Sequence, residues 1–237
     1  DAMLKINRQD KEKMLPKKVS DGPFQWRDAT NEVFVDFETF SDVFDDFSTV
    51  PRQEPFSLLY QIGVGSLENG KWQYRCFVCK TPDNDEEFRI MKEFQEFLVT
   101  KGSPCIYYWH AEESIWNRTC MDQFDRCTEE NRELVLDWTL NDAKDLRKLF
   151  VREPIVVKGC FGFGLKSIGR AMKKLGMIDT PLESECNNGR TAMIQAWKCY
   201  HRCSQPLRSG AMLDVIQYNE YDCKLLCDIL QYLRENH

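Results

Sequence analysis

Residues 32–38, EVFVDFE, form a short apolar run that ends in acids. The run predicts a central β-strand. Side chains alternate along a strand, so Asp36 and Glu38 share one side and Phe37 points to the other. Two acids at the end of an apolar strand need a reason, because buried charge is costly unless it is paired or bound to metal. One reading is a shared divalent-ion site. The other is a solvated strand end with two ordinary acids, and an Asp-x-Glu triplet alone does not separate them.

Working outward, residues 56–65 (FSLLYQIGVG) and 72–78 (WQYRCFV) predict two more strands. Asn69-Gly70 between them is a hairpin signal. Residues 83–99 carry Phe88, Met91, Phe94 and Leu98 at helical spacing. Residues 105–109 (CIYYW) predict a fourth strand, residues 112 to about 121 a helix, and residues 134–138 (LVLDW) a fifth short strand. The remainder is expected to be helical: 141–150, then 165–175 with an apolar face of Leu165, Ile168, Met172 and Leu175 stopped by Gly176, then 191–202. The last helix, 212–234, turns Leu225, Leu226, Ile229, Leu230 and Leu233 inward. Three antiparallel strands, a crossover to further strands and packed helices make an α/β layer arrangement.

The chain has 237 residues, 42% of them hydrophobic and 30% charged. That suits one sizeable globular domain, expected over 31–237. Residues 1–30 read as a basic arm or linker, with Lys5, Arg8, Lys11, Lys13, Lys17 and Lys18 before Gly22-Pro23. No run approaches the roughly 18 apolar residues of a membrane span, and no secretory leader opens the chain. The net charge of -6 weighs mildly against a nucleic-acid partner. A site that holds divalent ions with carboxylates would nevertheless concentrate acid in the same way. The eleven cysteines are odd in number and point to reduced thiols in an intracellular setting, nucleus or cytoplasm. Cys76 and Cys79 face opposite ways if one strand runs through both. Cys199 and Cys203 share a helix face from which His201 points away, with Cys186 upstream. Scattered thiols outweigh structural zinc.

Further acids lie where they could join the first pair. Tyr218 and Asp222 are four apart on one face of the last helix; the alternative is that Asp222 pairs locally, for example with Lys224. Glu220 and Asp228 read as solvated. In residues 105–116 (CIYYWHAEESIW) an apolar strand again runs into acids, Glu112 and Glu113. One would complete a four-carboxylate cluster, and the other would face solvent or pair with a base. His110 is read as structural ahead of base or ligand. Lys166, Arg170, Lys173 and Lys174 form a basic helix side with no intervening acid, either a contact for backbone phosphates or an ordinary solvated face. Phe37, Phe40, Tyr107, Tyr108 and Trp109 could stack on bases, but are read mainly as core.

These motifs, taken in order, resemble the tyrosine variety of the DEDD exonuclease superfamily, whose fold is ribonuclease H-like. More particularly, the chain is similar to exonuclease domains of some large DNA viruses and to those found beside RecB-type nucleases. VFVDFET, with Asp36 and Glu38, matches the first motif, and YNEYDC, with Tyr218 and Asp222, matches the third. The second departs from the pattern: most of the superfamily has an aspartate preceded by phenylalanine, and here Ala111-Glu112-Glu113 stands instead. Related viral-type sequences resemble Trp-x-x-Ala-Glu with an aromatic four residues on. That favours Glu112, followed by Trp116, with Glu113 as the alternative. Residues 154–172 (PIVVKGCFGFGLKSIGRAM) also resemble this family, with Gly164-Leu165-Lys166 in place of a Ser-Leu-Lys helix start.

The resemblance covers roughly residues 30–236. It implies a ribonuclease H-like mixed five-stranded sheet flanked by helices. It implies a 3'-to-5' exonuclease that uses two Mg²⁺ or Mn²⁺ ions and releases 5'-mononucleotides from single-stranded or frayed DNA. In that scheme Asp36 bridges both ions. Glu38 and Asp222 complete the water-bearing site, Glu112 supports the leaving-group side, and Tyr218 orients the attacking water. RNA is the alternative substrate, and the chain could belong to a larger replication or repair protein, including one of viral origin. The competing expectations are a ribonuclease H-type endonuclease and a degenerate module that binds nucleic acid or a partner protein.

Overall fold

A computed structural model describes residues 2–8, 12–41, 57–181 and 188–237; Lys11, Phe56 and Cys186 lie outside them. In chain order the elements are α1 (Ala2–Arg8), β1 (Met14–Leu15), β2 (Glu32–Phe40), β3 (Leu58–Glu68) and β4 (Lys71–Val78), followed by α2 (Asn84–Thr100), β5 (Cys105–Tyr108), α3 (Glu112–Arg126) and α4 (Glu129–Leu136). The second half holds β6 (Ala143–Asp145), α5 (Leu146–Arg152), β7 (Val156–Val157), α6 (Leu165–Lys174), α7 (Gly189–Arg202) and α8 (Gly210–Asn236).

The 32–38 run is the middle strand of a five-stranded mixed sheet, ordered β4-β3-β2-β5-β6. β2, β3 and β4 are antiparallel neighbours, while β5 runs parallel to β2 and β6 parallel to β5. Asn69 and Gly70 both take positive φ (51° and 73°) in the β3–β4 turn, the conformation a tight hairpin requires. α2 begins where the Asp83 side chain accepts the Glu86 N–H, and three acids follow in its first turn, matching the positive end of the helix dipole.

Alternation along β2 divides the molecule into two layers. Val33, Val35 and Phe37 enter one core with Ile90, Phe94 and Leu98 of α2 and Trp116 of α3. Phe34, on the opposite face, joins Tyr107 and the apolar sides of α5, α6 and α8. Phe37 packs edge-on to Phe94, with ring centres 6.0 Å apart, so it does point away from the two acids. Phe40, Tyr107, Tyr108 and Trp109 are likewise buried.

Two expectations fail together. Residues 134–138 are not a strand: Leu134–Leu136 end α4, which starts after Thr128 with Glu129 and Glu130 in its first turn. Acids at that end favour a helix, and Val135 is its one buried residue among those described. The fifth strand is instead Ala143–Asp145, inside a stretch expected to be helical. It has no apolar alternation, and its pairing with β5 is what defines it.

The described residues of the opening thirty pack against the rest of the chain. Met14 and Leu15 pair with Val157 and Val156, and Ile6, Met14, Val19 and Trp26 are buried. Arg234 near the end of α8 donates to the Trp26 carbonyl and to Glu32. No described helix is long and apolar enough to cross a membrane.

Candidate active site

Asp36 and Glu38 stand opposite Gly63 and Gln61 of β3, on the sheet face that α8 covers. α8 brings Tyr218, Asn219 and Asp222 to this face, all three buried. The Asn219 amide donates both to the Asp36 carbonyl (3.0 Å) and to its carboxylate (2.8 Å). The Tyr74 hydroxyl of β4 donates in turn to the Asn219 carbonyl oxygen at 2.9 Å. Gly63 leaves the room for this, since a Cβ there would lie 1.5 Å from Asn219 Oδ1. A glycine within a strand often marks such an approach, and that was the sequence signal for Asn219, a residue the motif reading passed over. Glu38 Oε2 and the Tyr218 hydroxyl each lie 3.9 Å from the point where a side chain at Gly189 would begin. Gln61 beside Glu38 is fully buried, and neither end of its amide has a hydrogen-bond partner among the described residues.

α3 supplies the next acid. Glu112 is buried and accepts the Ala111 N–H at 3.0 Å. Its neighbour Glu113 is turned to Tyr108, whose hydroxyl donates to it at 2.6 Å. The two glutamates thus separate, and Glu113 meets a tyrosine hydroxyl where solvent or a base was expected. Asp145, at the end of β6, was not singled out from the sequence. It is buried and accepts the backbone N–H groups of His110, Arg147 and Lys148. This holds His110 at a φ of 86°, a conformation costing about 1–3 kcal/mol for a residue other than glycine, immediately before the turn that delivers Glu112. The exposed His110 ring meets Arg147 at 3.2 Å and takes no place among the acids. If these acids carry a reaction, Glu112→Gln should slow it about 100-fold and Glu113→Gln should leave it within a few-fold, with a stability loss of about 1 kcal/mol from the Tyr108 bond. Rates and denaturation midpoints of the two variants check this.

The four bases of α6 do not act as one face. Lys166 Nζ is 3.0 Å from Asp222 and 3.3 Å from the centre of the Tyr218 ring, an ion pair and a cation–π contact together. The close approach of α6 to α8 places it there: a Cβ at Gly169 would lie 2.7 Å from Leu225. Lys173 donates to the Thr180 carbonyl at 3.0 Å. Arg170 and Lys174 line a separate groove. Lys224, the alternative partner of Asp222, pairs with Asp228 instead. Neither Asp228 nor Glu220 is simply solvated: Thr180 also donates to Asp228, and the Trp72 indole N–H donates to Glu220.

The acids raise one another's pKa. Asp36 keeps part of its surface exposed, yet burial is the leading cause that holds its carboxyl well above the usual range, followed by Asp222, Glu38 and Glu112. Glu38 is pushed up to about 8, by burial first and then by Asp222. Glu112 is pushed up to about 8 by burial, with Asp145 and Asp222 adding to it. Asp222 is raised by burial and drawn back by Lys166. In the unfolded chain such acids lose their protons near pH 4. Between about pH 4 and 8 the native fold therefore binds more protons than the unfolded chain, and its stability falls as pH rises. Below that window both states are protonated, and above it both are charged, so the slope vanishes at each end. Without added divalent ions, the melting temperature should drop steadily from pH 5 to 8.5, and calorimetry across that range would show it.

The donor set Asp36, Glu38, Glu112 and Asp222 is all oxygen, the kind that hard divalent cations take. As the side chains stand, no three His, Cys, Asp or Glu groups among the described residues are gathered closely enough to clasp an ion, and the nearest cation to Asp222 is Lys166. The described cysteines are free thiols, with Cys76 half-buried, Cys79 and Cys199 buried and Cys203 exposed.

Comparison with protein-family models, with curated proteins and with solved structures finds no match to this chain.

Proposed function

We propose that this chain is a 3'-to-5' exonuclease of ribonuclease H-like fold that hydrolyses phosphodiester bonds at the 3' end of single-stranded or frayed DNA. The observation that carries the reading is the meeting of acids from three separate elements. Asp36 and Glu38 of β2, Glu112 of α3 and Asp222 of α8 are buried near enough for their charges to bear on one another. Tyr218 lies one helical turn from Asp222. The strand order, with an antiparallel β4-β3-β2 half and parallel β5 and β6, is compatible with a ribonuclease H-like sheet.

Once deprotonated, four carboxylates against one ammonium leave negative charge that Mg²⁺ or Mn²⁺ would neutralise, held by Asp36, Glu38, Glu112 and Asp222. When bound, two such ions supply a nucleophilic hydroxide at neutral pH and stabilise charge on the leaving oxygen. The protein's own groups do the orienting. The Tyr218 phenol is pushed further above its ordinary range by burial and by Asp222, so it keeps its proton and can donate a hydrogen bond to the attacking oxygen but not accept its proton. Asn219 fixes the carboxylate of Asp36. Lys166 can carry its ammonium from Asp222 to a phosphate oxygen.

The test is a time course on 3'- and 5'-labelled single strands of DNA and RNA, with Mg²⁺, Mn²⁺ or EDTA. Stepwise shortening from the 3' end, abolished by EDTA, is expected. Digestion of a closed circle would replace this reading with an endonuclease, and intact substrates in both metals would remove it. Divalent ions should also raise the melting temperature more at pH 8 than at pH 5, because they bind the charged carboxylates. Equal effects at the two pH values would place the ions elsewhere.

A further inference from the structure

Beside α6, the loop after β7 and Asn7 of α1 enclose a groove of about 720 Å³. Lys158, Arg170 and Lys174 line it, with no acidic side chain among the described lining residues, in a chain whose net charge is -6. The loop is tied at both ends. Gly159 N–H donates to Asn7 Oδ1 at 2.7 Å, and the Trp109 indole N–H donates to the Phe163 carbonyl at 3.0 Å. Between these ties Phe161 also lines the groove, yet it is 71% exposed. An aromatic ring held out in solvent beside Arg170 and Lys174 has the composition of a single-strand platform: base faces stack on the ring and phosphates meet the cations.

We infer that this groove binds the phosphates of one nucleic-acid strand, with Phe161 stacking on a base, and so feeds the strand's end to the acid cluster. Lys166, Arg170 and Lys174 follow one another about 6 Å apart along the axis of α6, at four residues per step. Lys166 is turned to Asp222 while Arg170 and Lys174 line the groove, so α6 itself spans from the acids to the groove. The direction of the strand rests on the nuclease reading; the binding itself does not.

The test measures fluorescence anisotropy of oligo-dT and oligo-rU of about a dozen nucleotides with the whole chain in EDTA, over a salt series. The double variant Arg170→Gln/Lys174→Gln should bind about tenfold or more weakly. Its slope of log affinity against log salt should be shallower by about 1.4, because two phosphates go without a neutralising cation. Phe161→Ala should bind about tenfold more weakly with an unchanged slope. Lys173→Gln, whose ammonium is held by Thr180, should behave as the parent. The oligomer that binds more tightly identifies the strand, DNA or RNA. Parental affinity in both the double variant and Phe161→Ala overturns the proposal, as does an oligo-aspartate peptide that competes as well as the oligonucleotide. Failure of the nuclease reading is separate: end-labelled strands would stay intact with Mg²⁺ and Mn²⁺ while binding still followed the groove variants.

Discussion

Asp36→Asn should lower exonuclease activity roughly 10³-fold or more, the scale of losing one preorganised transition-state contact. In the absence of divalent ions it should also make the protein more stable. Asp36 is the acid most beset by its neighbours, raised by burial and by Asp222, Glu38 and Glu112. Asparagine keeps an oxygen to accept from Asn219 and removes one negative charge from the crowd. At pH 8 the gain should be on the order of 1–3 kcal/mol, a few degrees in melting temperature for a chain of this size. It should shrink as pH falls and vanish only below about pH 4, where the carboxyl holds its proton in the native and the unfolded chain alike. Added Mg²⁺ or Mn²⁺ should reverse it, because the variant has lost a ligand. A variant that hydrolyses like the parent would exclude Asp36 from the chemistry, and one that is less stable at pH 8 without metal would contradict the electrostatics.

Gly63→Ala should be the most damaging single methyl in the sheet. Its Cβ would lie 1.5 Å from Asn219 Oδ1 and 3.0 Å from the Tyr74 hydroxyl. Asn219 would have to leave, breaking its bonds to Asp36 and Tyr74. Overpacking and the stranded polar groups together should cost about 2–5 kcal/mol, with most of the activity lost. Adding Asn219→Ala to Gly63→Ala should restore much of the stability, because the clash is gone, but little of the activity, because Asp36 is no longer held. A double variant no more stable than Gly63→Ala alone would show that the strain lies elsewhere.

Short-range periodicity made the first acids legible. Asp36 and Glu38 share a side because strands alternate, and Tyr218 and Asp222 share a face because helices repeat. The same rules placed the β3–β4 hairpin and the long last helix. They failed where a segment was too short for period to decide. Leu134–Leu136 and Ala143–Asp145 exchanged helix and strand because capping and strand pairing, not hydrophobic pattern, settled each. Helical spacing also grouped Lys166 with Arg170, Lys173 and Lys174, yet the packing of Gly169 on Leu225 sends Lys166 alone to Asp222. Asp145 was invisible for another reason: its function is to receive three backbone N–H groups, and nothing in neighbouring residues announces that.

The last helix ties these parts into one mechanical object. Near its middle it carries Tyr218, Asn219 and Asp222; about 18 Å further along, at 1.5 Å per residue, Arg234 grips the carbonyl of Trp26, and the His237 carbonyl beyond it receives the Val19 N–H. The described residues of the opening thirty therefore act as ballast at the far end of a rod whose near part carries Tyr218, Asn219 and Asp222. Trimming them as a dispensable tail would unseat that rod, and those side chains would drift although no residue near the acids had been touched.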